Sequence, residues 1–296
     1  MSTSTGLAGL GGGRLLSLAP LTVLELDPAE LVACAASAGY DAVGLRLIPA
    51  TAQEPVWPTV GRTPLILETK RRLDDSGLRV VDIEVLRLRA QTRVRADFEA
   101  VLETGAYLGA SEILVTGNDP DHGRTADNLA ELALLAADFG LTPNLEPMPW
   151  TEVKDLREGA AILSACQADV GLLVDAIHYD RAMNTPAELA GLPRHWIRYA
   201  QICDAPAQRP GTVAEMMRQG RSARLLPGAG AIDLIAMLRA LPTGIPISVE
   251  APLRSAAPAT LRAAAAARAA RAAARAARAV LAQADDAPWS PLERTA

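Results

Sequence analysis

Short apolar runs alternate with amphipathic stretches along almost the whole chain. Runs at residues 15–18 (LLSL), 42–47 (AVGLRL), 79–85 (RVVDIEV), 113–116 (ILVT), 142–145, 171–174 (GLLV), 197–202 and 246–249 (PISV) predict eight strands. Most are nearly continuous in hydrophobicity, the pattern of strands covered on both faces rather than solvated on one. Asp27-Pro28 and Thr63-Pro64 each pair an N-capping side chain with a proline whose missing N–H costs nothing in the first turn. Gly39 and Gly77 then supply the left-handed stop that ends each helix. Helical spacing predicts further helices near 94–108, 125–139, 153–166, 187–190, 232–241 and 257–283.

Buried strands and helices in strict alternation mean a parallel sheet covered by helices. Eight such units over about 250 residues predict an α/β fold of the (β/α)8 TIM barrel type. No linker or composition break divides the chain, so a single domain is expected at 14–284, with loose tails at 1–13 and 285–296. A doubly wound open sheet is the alternative. It lacks a GxGxxG after the first strand, since the glycines at 11–13 precede it.

Composition narrows the function classes. Half of the 296 residues are apolar, with only four Trp, four Tyr and two Phe, so the core must be aliphatic. The net charge of −5 argues against a nucleic-acid partner. No run approaches the ~18–20 apolar residues of a membrane span, and the N-terminus lacks a basic signal-peptide start. A cytoplasmic enzyme without a membrane partner is the expectation. Cys34, Cys166 and Cys203 lie far apart, which excludes a cysteine zinc site and suits a reducing compartment. Arg268, Arg271, Arg275 and Arg278 form a basic stripe on the last helix. It reads as the solvated side of a helix closing the barrel, with an anion-binding surface as the alternative.

In a TIM barrel the chemistry sits where the strands end. The fifth predicted strand runs into Glu146, the sixth into Asp175 with His178 three residues on, the seventh contains Gln201, and the eighth runs into Glu250. Three carboxylates converging on one rim repel unless protonated, paired with arginine or bridged by a cation. Arg46, Arg221, Arg224 and Arg254 make ion pairing the alternative for each carboxylate singly. Taken together, Glu146, Asp175, Gln201 and Glu250 form an all-oxygen set suited to Mg2+ or Mn2+, with Co2+ a further fit. Such an ion, with positions left open, would polarise a hydroxy-ketone and stabilise the enediolate formed when the neighbouring carbon loses a proton. Glu146 and Glu250 are the candidate proton carriers, and His178 a catalytic and substrate-binding group. Arg221 and Arg224 are candidate clamps for a substrate anion, against a reading as surface arginines. Glu84 is a candidate pocket residue, or a partner of Arg87. Cys203 reads as a small buried side chain, and the PGAG turn at 227–230 as only a faint phosphate cradle.

These strand ends, with AGYDAVGLRL, VVDIEVLRL, NLEPMPWTEV, LLVDAIHYDR, AQICDAP, LPGAGAIDL and PISVEAP, resemble the xylose-isomerase-like TIM-barrel superfamily over about residues 14–280. Within it, the chain is most similar to the sugar phosphate isomerase/epimerase group. The resemblance implies a divalent metal held from strands five to eight, at Glu146, Asp175, Gln201 and Glu250. It also implies two glutamates as proton carriers and His178 as the histidine of a DxxH motif touching substrate. Gln201 stands where many members carry His and resembles the 3-dehydroshikimate dehydratase branch. Ala229 stands where an acidic residue is common.

The expected function is therefore a metal-dependent isomerase or epimerase of a keto-sugar, sugar phosphate or cyclitol. The alternative is a lyase dehydrating a cyclic keto-acid such as 3-dehydroshikimate. The apurinic endonucleases share the barrel, but three histidines cannot furnish their histidine-rich rim. A non-catalytic sugar-binding barrel is the remaining class. The segments PMPW and IPATAQEPVWP are candidate contacts for a homo-oligomer.

Overall fold

The computed structural model describes residues 14–252 and 262–285. The expected tails at 1–13 and beyond 285, and Arg254, lie outside the described residues. The strands are β1 (Leu16–Leu18), β2 (Ala42–Arg46), β3 (Arg79–Leu88), β4 (Ala110–Gly117), β5 (Thr142–Glu146), β6 (Gly171–Leu172), β7 (Val174–Asp175), β8 (Ala200–Ile202) and β9 (Ile247–Val249). The helices are α1 (Pro28–Ala38), α2 (Pro64–Ser76), α3 (Val94–Leu108), α4 (His122–Ala137), α5 (Leu156–Cys166), α6 (Ala176–Arg181), α7 (Pro186–Ala190), α8 (Val213–Ser222), α9 (Leu234–Ala240) and α10 (Arg262–Asp285).

Every strand pairing is parallel, in the order β6-β5-β4-β3-β2-β1-β9-β8-β7. β6 and β7 are one stave interrupted at Leu173, whose N–H donates to the Leu145 carbonyl at 2.9 Å. With that stave counted once, eight staves make a nearly closed barrel, and the expected TIM-barrel class holds.

The predicted caps sit where the chain signals placed them. Asp27 accepts from the Glu30 amide in a capping box, Thr63 accepts from the Ile66 amide, and Gly39 and Gly77 are left-handed. Between strands and helices lies one extended aliphatic core. Strand side chains alternate faces, so a second, smaller set points inward. Ala42, Val81, Val85, Leu114, Leu173 and Tyr199 form that inner plug beneath the strand ends. α10 buries Ala274, Ala277, Val280, Leu281 and Ala284 while Arg268, Arg275 and Arg278 are exposed, so its basic stripe is the solvated side. Among the described residues no helix is long and apolar enough to cross a membrane.

Several elements depart from the sequence reading, among them α6, which forms where no helix is predicted, and the stave split into β6 and β7. β3 runs on to Leu88, three residues past its expected end, which moves Glu84 into the strand interior. The stretch 204–226, for which no helix is predicted, contains α8.

Candidate active site

Glu146 is the last residue of β5, Asp175 the last of β7, and Glu250 follows β9 directly. Gln201 lies beside Asp175 in the β7–β8 register and beside Ser248 in the β8–β9 register. Parallel neighbours in register share a face, so the pleat delivers all four to one end of the barrel. The cavity there measures about 660 Å³ and is lined by Glu146, His178, Arg224 and Glu250 among others.

One ligand atom each from Glu146, Asp175 and His178 lie within 4.8 Å of one another, all three residues buried. His178 Nε2 stands 3.6 Å from Glu146 Oε1 and 3.8 Å from Asp175 Oδ1. Asp175 also caps α6, its Oδ1 accepting from the amides of Ile177 and His178 at 3.0 Å each. This cap fixes the DxxH spacing: the carboxylate that starts the helix accepts from the His178 backbone amide, which sets the imidazole one turn on. The Trp150 ring meets His178 edge-on at 4.6 Å between centroids.

Glu250 reaches this group through an arginine. Arg224 donates to Asp175 Oδ2 at 2.5 Å and lies 2.8 Å from Glu250 Oε2, with its Nε donating to the Gly220 carbonyl. As a clamp for a substrate anion, Arg224 is therefore already committed to protein carboxylates. Arg221 is exposed and lines the cavity, with no ion pair among the described residues. Glu84 neither lines the cavity nor pairs with Arg87. Buried in β3, it is held by Arg46 at 2.8 Å, and Arg46 also reaches Glu54 at 3.0 Å. Within β3, Glu84 stands in register with Arg46 of β2, which brings the guanidinium to its carboxylate.

The electrostatics separate the carboxylates. Burial pushes Glu146 well above the usual range, reinforced by Asp175 and Glu250. Burial likewise raises Glu250 to about 8, with Arg224 opposing and Asp175 assisting. Asp175 feels the same burial, but Arg224, His178 and the His178 amide outweigh it and hold Asp175 low. Burial lowers His178 to about 4, which leaves its imidazole neutral and able to ligate at pH 7.

The donor set suits a cation. Of three buried carboxylates only Asp175 and Glu250 are paired with a guanidinium, that of Arg224, and among the described residues both Gln201 side-chain atoms and His178 Nδ1 are buried without a partner. Buried polar atoms with no partner are costly, and a cation with its bound water would satisfy both defects.

Other candidates have settled roles. Asp204 accepts from the amides of Ala205, Gly228 and Ile232, so the PGAG turn spends its donors inside the protein rather than on phosphate. Cys203 is buried, its thiol pushed up by burial, and its Sγ is 3.6 Å from Arg224. His122 bonds the Glu152 carbonyl at 2.7 Å, and His195 packs on Trp196.

Sequence reasoning gave Trp150 and Arg87 no role in the site, naming them only as part of a candidate oligomer contact and as a partner of Glu84, and it did not predict α8. Trp150 lies only four residues past Glu146, in the loop where this fold places chemistry, and that proximity was the available signal. α8 was announced by Thr212 and Glu215, a Ser/Thr-x-x-Glu start; the Thr212 side chain accepts from the Glu215 amide.

The chain belongs to the xylose isomerase-like TIM barrel family, whose description matches residues 32–280. A curated 3-dehydroshikimate dehydratase from Pseudomonas aeruginosa is 28% identical over 184 residues, covering 58% of this chain and 28% of that protein. Among solved structures, a xylose isomerase-like TIM barrel/4-hydroxyphenylpyruvate dioxygenase fusion protein superposes with a TM-score of 0.75 at 20% identity, over 95% of this chain and 46% of that one. The chain thus spans under a third of the curated relative's length and under half of the fusion protein's. An IOLI protein with a bound zinc atom gives a TM-score of 0.72 at 18% identity, over 91% of this chain and 99% of that one. A D-psicose 3-epimerase from Clostridium cellulolyticum gives 0.67 at 15% identity, over 90% and 99%.

Proposed function

We propose that this chain is a divalent-metal-dependent isomerase or epimerase of a keto-sugar, sugar phosphate or cyclitol, working by proton transfer at a carbon beside a carbonyl. The observation that carries this reading is the approach of Glu146, Asp175 and His178 within 4.8 Å at a large cavity on the strand-end rim. Glu146, Asp175, Gln201 and Glu250 would hold Mg2+ or Mn2+. When bound, the cation supplies Lewis acidity at the substrate carbonyl.

Glu146 and Glu250 come from β5 and the end of β9, on different sides of the site. Burial raises the proton affinity of each, a bound cation would lower it again, and the pair would be placed for one to remove a proton and the other to return one. Neutral His178, whose Nε2 stands beside Glu146 and Asp175, would serve either the cation or a substrate oxygen. Arg224 positions Asp175 and Glu250 from behind. Met148, Trp150 and Met217 wall the cavity and limit its water.

The lyase reading is kept for two reasons: Gln201 among the ligands, and the dehydratase relative. A cyclic keto-acid such as 3-dehydroshikimate needs the same first proton abstraction, followed by loss of water. The test is incubation in deuterated water with a panel of keto-sugars, sugar phosphates and 3-dehydroshikimate. Deuterium entering beside a sugar carbonyl, and falling about 100-fold or more in Glu146→Gln, is the expected result. A conjugated, ultraviolet-absorbing product from 3-dehydroshikimate selects the lyase. Exchange on neither class overturns both.

A further inference from the structure

Four guanidinium groups line the cavity: Arg46, Arg87, Arg221 and Arg224. Two of them are satisfied by the protein. Arg46 is held by Glu84 and Glu54, and Arg224 by Asp175 and Glu250. Among the described residues, Arg87 and Arg221 make no ion pair and no side-chain hydrogen bond. Glu25, a carboxylate on the same lining, lies within ion-pair distance of neither. Arg87 is nevertheless half-buried at the C-terminal end of β3, in register with Thr116 of β4. Thr116 in turn stands in register with Glu146. Along the rim, therefore, the side chains run from the carboxylate cluster through a neutral threonine to an unpaired arginine. Next to them, Asn118 accepts from Thr116 Oγ1 at 2.8 Å, which leaves its amide group free to donate.

α8 brings Arg221 to the same space. It leans on the Trp150 ring at Gly220, where a Cβ would come within 2.4 Å of the indole, and so roofs the cavity with Met217, Gly220 and Arg221. A guanidinium withdrawn from water without a counter-charge is unfavourable, and a second one nearby makes it worse. The Arg87 guanidinium is shifted downward by its burial first, and then by the charges of Arg89, Arg221 and Arg46, with Glu54 opposing. The lining carboxylates Glu54 and Glu250 are paired with Arg46 and Arg224, and among the described residues none contacts Arg87 or Arg221 directly.

We infer that Arg87 and Arg221 form an anion subsite that holds a carboxylate or phosphate group of the substrate, away from the carboxylate cluster. This inference rests on reading the cavity as the substrate site, and it narrows the substrate to a negatively charged carbonyl compound. Uncharged keto-sugars would leave both arginines unpaired.

The test is calorimetric titration of the full chain at low ionic strength. The probes are inorganic phosphate and cyclohexanecarboxylate, with cyclohexanol and myo-inositol as uncharged comparators. One anion is expected to bind while the comparators do not, and which anion binds identifies the group. Arg87→Gln and Arg221→Gln should each weaken it about 10-fold or more, with Arg87→Lys weakening it less. Arg95→Gln, in an exposed ion pair with Glu99 on α3, serves as the unchanged control. Arg221 is exposed, so its variant keeps the test alive if Arg87→Gln fails to fold. Equal binding of charged and uncharged probes, no anion binding, or unchanged affinity in Arg221→Gln overturns the subsite. A parallel Mn2+ titration separates the two readings. Metal binding without anion selectivity removes the subsite alone, and anion binding without metal removes the metal site alone.

Discussion

Glu112 lies near the N-terminal ends of the strands, away from the cavity, and shows how one buried carboxylate sets a pH dependence. Burial raises it from 4.5 to about 7, opposed by the Asn144 side chain, which donates to it at 2.8 Å. The folded state therefore keeps a proton that the unfolded chain releases from about pH 4.5. The stability this proton brings is complete below that value and is lost as pH rises toward 7. Glu112→Gln keeps an acceptor for Asn144 and cannot ionise. Denaturant unfolding at pH 5 and pH 8 should show the wild type losing roughly 2–3 kcal/mol more than the variant across that interval. Equal losses would contradict the assignment. At this scale the sequence exposed charge and spacing but not pairing. Asp175 and His178 were legible because an N-cap and the residue one turn on are tied by helix geometry. The choice of Arg46 for Glu84, and of Arg224 for both Asp175 and Glu250, was not legible, since those contacts join residues 38, 49 and 26 positions apart.

Strands and capped helices were read well wherever periodicity and end signals agreed. The failures fall where they conflicted. β6 and β7 form a single apolar run in sequence, and only the ring reveals the break at Leu173. α8 has its capping residues but carries a glycine and few apolar positions, so its helical pattern is faint. That glycine is required by packing, as Gly220 seats the Trp150 ring. A comparable close approach occurs in β6, where a Cβ on Gly171 would lie 1.9 Å from Asn144 Oδ1 and 2.9 Å from the Trp196 backbone carbonyl. Gly171→Ala should therefore destabilise the fold by about 1–3 kcal/mol, read as a lowered denaturant midpoint. An unchanged midpoint would mean that the β5–β6 pairing is looser than described.

For the whole molecule, the barrel was legible from counting because eight buried strands alternating with helices leave few other ways to cover every apolar face. Closure then forces the strand ends into one rim, so the position of the site was legible with the fold. Its occupant was not, because a list of carboxylates does not say how many cations share them. Among the described residues one buried arginine serves Asp175 and Glu250, while Glu146 has only a neutral histidine beside it and Gln201 has no partner. The most direct test is elemental analysis of the purified chain after equilibration with Mn2+ or Mg2+, repeated on Asp175→Asn. One divalent ion per wild-type chain, removed by chelation and weakened at least 10-fold in the variant, is the expected result. A wild-type chain that takes up no ion at millimolar metal, or an Asp175→Asn chain that holds it as tightly, would contradict the account.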